Sequence, residues 1–184
     1  MAHDAFPHLT ERGLTREVVW SGRILRVASH AVALPDGSTA LREVVEHPGA
    51  VAIAAHQDGE LVMVRQFRYA LGRVTLELPA GTCTSGEAPE CTARRELAEE
   101  TGLSAASWHG LGEVHVAPGW TTETIRLYEA TELAAVTGFT TDPDEFVEIV
   151  RLPLAEVLAM ALDGRIRDAK TLAGVFRLHA RLGA

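Results

Sequence analysis

The sequence predicts an α/β protein in which a mixed central sheet lies between helices and follows a small N-terminal antiparallel β-sheet. Three observations support this fold class. Apolar and β-branched segments dominate residues 16–78 and 107–130. A helix-forming segment at 89–101 separates them, and apolar residues recur at helical spacing in 154–162 and 169–182. Strands, a helix, more strands and terminal helices in that order are typical of a layered α/β sandwich.

Composition and charge exclude several classes of protein. A chain of 184 residues with 47% apolar side chains is long enough for one domain with a core, and too apolar for disorder. A net charge of −8 argues against non-specific nucleic-acid binding and against anionic membranes. No apolar run approaches the about 18 residues of a membrane span, so we expect a cytoplasmic protein. Cys83 and Cys91 are expected to be reduced thiols.

The first 48 residues are expected to form a unit of their own, followed by a larger domain at 49–184. Residues 1–14 resemble a loose arm, and a strong turn signal at 35–38 separates β-rich segments. The predicted strands of this first unit are 16–20, 23–34 and 40–46. His47-Pro48-Gly49 marks the boundary.

The larger domain is expected to begin with a buried strand and its hairpin partner, joined by a turn at 57–60. A further strand then leads to Ala80 and Gly81. Residues 131–144 are expected to form an acidic loop. The predicted strands are 50–56, 61–67, 74–78, 107–116, 124–130 and 146–152, and the last two helices are 154–162 and 169–182.

The helix before Gly102 has an unusual charge pattern. Glu96 and Glu100 are four residues apart and Glu99 lies three after Glu96, so the carboxylates crowd one side. Like charges at this spacing destabilise a helix by a few tenths of a kcal/mol per pair. A bound Mg²⁺ offsets that repulsion, because this ion prefers carboxylate oxygens, waters and phosphates. The alternative is a solvated acidic face with Arg95 paired to Glu99.

The stretch 81–103 resembles the Nudix box, a motif of the Nudix hydrolase superfamily. Every fixed position of the motif is filled, by Gly81, Glu87, Arg95, Glu96, Leu97, Glu99, Glu100, Gly102 and Leu103. The resemblance implies the Nudix α/β/α sandwich and a Mg²⁺ cofactor, with Mn²⁺ as an alternative. It implies Glu96, Glu100 and the carbonyl of Ala80 as metal ligands, and Glu99 as a ligand or water-positioning carboxylate.

The resemblance also implies supporting and catalytic roles. Arg95 and Glu87 are expected to orient the loop and the metal-binding glutamates, although a purely structural salt bridge between them is an open alternative. In the related ADP-ribose pyrophosphatases, a glutamate in a loop after the core strands serves as base or extra metal ligand. The matching segment offers Glu145 first and Asp144 second. A solvated acidic loop is the alternative.

Further segments resemble the ADP-ribose pyrophosphatase branch, namely 65–68, 77–81, 117–123 and 164–171. This resemblance implies that Arg68 clamps a substrate phosphate, that Glu123 contacts the terminal ribose and that Pro118 belongs to the same substrate-binding loop. Arg42 and Trp20 are candidates for an adenine slot, through stacking or cation–π contact. Alternatively, Trp20 is a core or interface residue and Arg42 an exposed charge. A homodimer formed through the N-terminal sheet is also implied.

The function implied is Mg²⁺-dependent hydrolysis of the diphosphate linkage of ADP-ribose, or of a related nucleoside diphosphate sugar, to a nucleoside monophosphate and a sugar phosphate. One alternative keeps the chemistry but changes the substrate to UDP-glucose, GDP-mannose, a dinucleotide or a nucleoside triphosphate. Another is a module that senses ADP-ribose without cleaving it. The presence of Glu96, Glu99 and Glu100 favours an enzyme.

Overall fold

The computed structural model describes residues 6–84, 86–139 and 146–183. The chain divides into two compact units. One consists of Met1–Pro48 with Ala117–Glu123, and the other of Gly49–Val116 with Thr124–Ala184. No helix within the described residues is long and apolar enough to cross a membrane.

The first unit is built on an antiparallel sheet with strand order β1-β2-β3. Its strands are β1 (Arg12–Ser21), β2 (Arg26–Ala33) and β3 (Thr39–Glu46). Strand β1 begins at Arg12, opposite Ala33, so the expected loose arm to residue 14 is too long. The 117–123 segment joins this unit through Val45, whose N–H donates to Trp120 O at 2.8 Å and whose carbonyl accepts from Thr122 N–H at 3.0 Å.

The second unit contains a mixed sheet of seven strands among the residues described, with order β10-β5-β4-β9-β8. Strand β6 pairs with β5, and β7 with β4. The β4–β9 pair is parallel. The strands are β4 (Ala50–Gln57), β5 (Glu60–Arg68), β6 (Arg73–Glu77), β7 (Ala80–Thr82), β8 (Leu103–His115), β9 (Thr124–Ala135) and β10 (Val147–Pro153).

Helices cover both faces of this sheet, which confirms the predicted α/β sandwich. They are α1 (Pro89–Thr101), α2 (Leu154–Leu162) and α3 (Ala169–Leu182). Successive residues of β4 point to opposite faces. Val51 and Ile53 pack with Ala93 and Leu97 of α1. The alternate β4 residues Ala52 and Ala54 instead pack with Val157 of α2 and with Val175 and Leu178 of α3.

The turns follow local sequence signals closely. Asp58 and Gly59 both have positive φ, 54° and 81°, which suits the two-residue hairpin between β4 and β5.

Strand β9 is longer than the sequence predicts and continues to Ala135, because Leu133 and Ala135 pair with Ala105 and Leu103 of β8. The expected loop at 131–144 therefore begins later than predicted.

Strand β8 contains a bulge that helix α3 braces. The pairing register with β9 shifts between Gly110 and Gly112. Arg177 of α3 donates from Nη1 to the carbonyl of Leu111 at 2.8 Å and from Nη2 to that of Glu113 at 3.2 Å. The bulge carbonyls are thus satisfied by a side chain from the C-terminal helix.

Candidate active site

Helix α1 has the ends that its sequence predicts. Pro89 occupies the first turn, where its missing N–H has no helical partner. Gly102 ends the helix in the left-handed conformation, with φ 64° and its N–H bonded to Ala98 O. Of the carboxylates on this helix, Glu96 and Glu100 are buried and Glu99 is half-buried. Burial of two like charges on one side of a helix is costly unless cations or hydrogen bonds compensate.

The backbone before α1 packs tightly against these carboxylates. A Cβ added at Gly81 would lie 1.9 Å from Cδ of Glu96 and 2.1 Å from its Oε1. One residue earlier, the N–H of Ala80 donates to Oε2 of Glu100 at 3.0 Å. Strand β7 holds this backbone in place by pairing Ala80 and Gly81 with β4. The fold therefore brings Ala80, Gly81, Glu96 and Glu100 together.

Arg95 lies among the motif carboxylates and links them. Its Nη1 donates to Glu96 Oε1 at 2.7 Å and to Glu99 Oε2 at 2.8 Å. Its Nε and Nη2 reach the two oxygens of Glu87 at 3.3 and 3.2 Å. Thr92 Oγ1 also donates to Glu87, at 3.0 Å. Arg95 thus fixes the directions of three glutamates at once.

The charges in this network shift pKa values in the expected directions. Hydrogen bonds from Arg95, and secondarily from Thr92, hold the pKa of Glu87 below its ordinary value. Burial acts to lower the pKa of Arg95, but hydrogen bonds to Glu87 and Glu99 and the charge of Glu96 outweigh it and raise that pKa. Both groups therefore remain ionised at neutral pH.

Arg68 is anchored by a buried carboxylate that sequence reasoning did not single out. Glu77 is buried and accepts from Nε and Nη2 of Arg68 at 3.0 and 2.7 Å. Lys170 of α3 and Thr75 also donate to this carboxylate. Burial alone would raise the pKa of Glu77, but the hydrogen bond from Arg68, the charge of Lys170 and the hydrogen bond from Thr75 bring it to about 2.

Helix α3 reaches this cluster through its first turn. Asp168 caps the helix, and its Oδ2 accepts from the N–H of Thr171 at 3.0 Å and from Lys170 Nζ at 2.9 Å. An Asp three residues before a Thr at the start of an apolar helix is a readable capping signal. Nothing local in the sequence, however, indicates that Lys170 meets Glu77, which lies 93 residues earlier.

The other expected substrate contacts, Trp20, Arg42, Pro118 and Glu123, belong to the first unit. Trp20 is 56% exposed on β1. Arg42 forms an ion pair with Glu11. Pro118 is exposed in a turn closed by the Trp120 N–H to Ala117 O bond. The expected bases Glu145 and Asp144 lie outside the described residues.

The donor set of α1 fits a hard dication by its chemistry. Glu96, Glu99 and Glu100 supply carboxylate oxygens within one turn, and the missing side chain of Gly81 makes room for the Glu96 carboxylate itself. Within residues 6–84, 86–139 and 146–183, no three His, Cys, Asp or Glu side chains converge on one metal-sized position. Mg²⁺ requires few protein ligands, because it keeps waters and binds substrate phosphates.

Comparison with known proteins shows family-level similarity over most of the chain. The family model for the NUDIX domain matches residues 45–175. The chain is 39% identical over 165 residues to an ADP-ribose pyrophosphatase of Bacillus subtilis (strain 168), covering 89% of each protein. It is 40% identical over 171 residues to an ADP-ribose pyrophosphatase of Mycobacterium tuberculosis (strain ATCC 25618 / H37Rv), covering 91% of this chain and 82% of that one.

A solved structure supports the fold independently. An ADP compounds hydrolase superposes with a TM-score of 0.83 and covers 95% of this chain and 96% of its own, at 24% sequence identity. At that identity the likeness concerns the fold. The matched family model spans most of the chain, and the matched residues include Gly81 and all of α1. The chain therefore belongs to the Nudix family.

Proposed function

We propose that this protein is a Nudix pyrophosphohydrolase that cleaves the diphosphate linkage of ADP-ribose or a related nucleoside diphosphate sugar. Water is the second reactant. Its oxygen bonds to one phosphorus as the bridging P–O bond breaks, which gives a nucleoside monophosphate and a sugar phosphate. ADP-ribose would yield AMP and ribose 5-phosphate.

The observation that carries this proposal is the packing of buried Glu96 and Glu100 against the backbone at Ala80 and Gly81. Placing these carboxylates close together is unfavourable by itself. A dication would offset their repulsion and would also bind the diphosphate. The names of the two bacterial relatives support ADP-ribose as the first substrate to test.

The motif residues have distinct parts in this proposal. Glu96, Glu99, Glu100 and the Ala80 carbonyl would hold Mg²⁺, with Mn²⁺ as the alternative ion. When bound, the ion would neutralise phosphate charge and lower the pKa of a nearby water. Arg95 fixes the directions of the carboxylates, and Glu87 anchors Arg95. Arg68 presents a planar guanidinium to a substrate phosphate.

The remaining assignments come from the resemblance to the ADP-ribose pyrophosphatase branch. Glu145 is the proposed base, and Asp144 is the alternative. Trp20 and Arg42 recognise the nucleobase, Glu123 contacts the terminal ribose, and Pro118 belongs to the same substrate-binding loop. We also propose a cytoplasmic homodimer formed through the N-terminal sheet.

The direct test is hydrolysis by the purified protein of ADP-ribose, UDP-glucose, GDP-mannose, a dinucleotide and nucleoside triphosphates, each with Mg²⁺ or Mn²⁺. Released monophosphate is quantified by chromatography. We expect ADP-ribose to have the largest kcat/KM, and chelation of the metal by EDTA to abolish turnover until Mg²⁺ is restored. Mass measured by light scattering tests the dimer.

Two results would overturn parts of the proposal. A strong preference for a nucleoside triphosphate would contradict the assigned substrate class while leaving the hydrolase assignment in place. No turnover of any substrate, together with micromolar binding of ADP-ribose by calorimetry, would instead identify a sensing module.

A further inference from the structure

The Glu77 carboxylate is shared between two cations from distant parts of the chain. Its side chain is 3% exposed, whereas those of Arg68 and Lys170 are 38% and 12% exposed. Arg68 occupies both oxygens through Nε and Nη2, and Lys170 donates to Oε2. Lys170 also donates to Asp168 Oδ2, so the two cations are matched by two carboxylates and the cluster is a neutral, connected network.

The position of Lys170 is unfavourable for helix α3 taken alone. It lies two residues after the capping Asp168, in the first turn, where the helix dipole disfavours a cation. The side chain is nevertheless almost buried and bonded to both Asp168 and Glu77. A cation in such a place indicates that its contact with Glu77 has a role beyond helix stability.

Helix α3 contacts the segment before Gly81 in two further ways. The N–H of Leu78 donates to the buried hydroxyl of Thr171 at 2.9 Å. At Gly174, an added Cβ would lie 2.5 Å from Cδ1 of Leu78, so the helix packs closely against that side chain. The first half of α3 therefore determines where residues 77 and 78 lie.

Arg68 connects this arrangement to the motif carboxylates. Its pKa is raised chiefly by the hydrogen bond to Glu77, and the charges of Glu77, Glu100 and Asp168 contribute in the same direction. Three residues after Glu77, the N–H of Ala80 donates to Oε2 of Glu100 at 3.0 Å, so the partner of Arg68 lies on the segment that leads to this carboxylate. The pair with Glu77 uses Nε and Nη2, which leaves Nη1 outside that pair.

We propose that Lys170 is a positioning residue for substrate binding, acting through Glu77 on Arg68. This inference rests on the proposed function, in which Arg68 binds a substrate phosphate. Lys170 shares the charge of Glu77 and keeps that carboxylate in one orientation. Arg68 then holds a fixed direction toward an incoming phosphate. Without Lys170, the Glu77 carboxylate loses one of its two cationic partners and can turn, so the direction of Arg68 is less well fixed.

The experiment is a double-mutant cycle of Lys170→Met and Arg68→Ala, with kcat and KM measured for ADP-ribose in Mg²⁺. In the parent protein we expect Lys170→Met to raise KM roughly tenfold and to change kcat by less than about threefold. In the Arg68→Ala background we expect it to change kcat/KM by less than about twofold. Lys170→Arg, which retains the charge, should recover most of the parent KM.

A purely structural role for Lys170 predicts different results. Equal losses of kcat/KM in both backgrounds, or a fall in kcat with KM unchanged, would overturn the proposal. Thermal unfolding shows whether each variant is folded. Lys170→Gln, which can still form hydrogen bonds, replaces Lys170→Met if the latter fails to fold.

If the parent protein cleaves no nucleoside diphosphate sugar, the proposed function fails. The same cycle is then measured on the Kd of ADP-ribose, where equal losses in both backgrounds again contradict the role of Lys170.

Discussion

The carboxylate of Glu96 occupies the space that a side chain at Gly81 would need, with Cδ only 1.9 Å from the position of an added Cβ. Neither residue can move away easily, because the Gly81 backbone pairs with Val51 in the sheet and the Glu96 side chain is buried on α1. The absence of a side chain at residue 81 therefore determines where a proposed metal ligand lies.

Replacing Gly81 with Ala should consequently damage catalysis more than folding. The methyl group forces the Glu96 carboxylate to move, and a displacement of about 1 Å in a catalytic site costs roughly a hundredfold in rate. We expect kcat/KM for ADP-ribose to fall by about that factor. Gly110→Ala in β8 is the matched control, since an added Cβ there meets nothing within 4 Å. Equal activities of the two variants would contradict this explanation.

Glu100→Gln should abolish turnover and leave the fold intact. The substitution removes the charge that a metal requires, but the amide oxygen of Gln still accepts the N–H of Ala80. Turnover and circular dichroism are measured together. Glu90→Gln on the exposed side of the same helix serves as the control, because Glu90 pairs only with Arg94 among the contacts described for it. Near-parent rates for Glu100→Gln would show that Glu100 is not a ligand.

The low pKa of Glu77 predicts a specific dependence of stability on pH. Its folded pKa of about 2 lies below the ordinary value of 4.5, so the folded state favours the ionised form. This contribution, on the order of 3 kcal/mol, is fully present above about pH 4.5 and is lost as the pH falls toward about 2. Urea unfolding of the parent and Glu77→Gln should therefore give converging free energies as the pH is lowered. Parallel curves would contradict the assignment.

The buried hydroxyl of Thr171 predicts a loss of stability on Thr171→Val. The hydroxyl accepts from Leu78 N–H at 2.9 Å and donates to Asp168 Oδ2 at 2.6 Å, and valine can do neither. Leaving a buried N–H without its acceptor costs about 1–3 kcal/mol. Urea unfolding measures this loss. Thr39→Val, at an exposed position of β3, should change stability by less than about 0.5 kcal/mol.

Features with local causes were predictable from the sequence. Pro89 and Gly102 fix the ends of α1 through their own backbone preferences, and the structure confirms both. Asp58-Gly59 likewise specifies the hairpin between β4 and β5. The glutamates of α1 share one side because of the helical repeat alone. For these elements, the residues of a short segment are sufficient to determine the local structure.

Features that depend on distant pairing were not predictable in this way. Residues 131–135 contain polar side chains and resemble a loop, yet they form the end of β9 because Leu103 and Ala105 pair with them. The contact between Glu77 and Lys170 spans 93 residues and arises only when the first turn of α3 meets the end of β6. Arg68 was expected to clamp phosphate, but its partnership with Glu77 depends on the pairing of β5 with β6.

The bracing of the β8 bulge by Arg177 has a consequence for the C-terminal end of the chain. Strand β8 lies last in the sheet order, and α3 satisfies the carbonyls of Leu111 and Glu113 where pairing with β9 is irregular. Proteolysis before residue 177 would expose these acceptors on an outer strand, which is a template for pairing with another chain. Truncated protein should thus self-associate even where the motif helix remains folded.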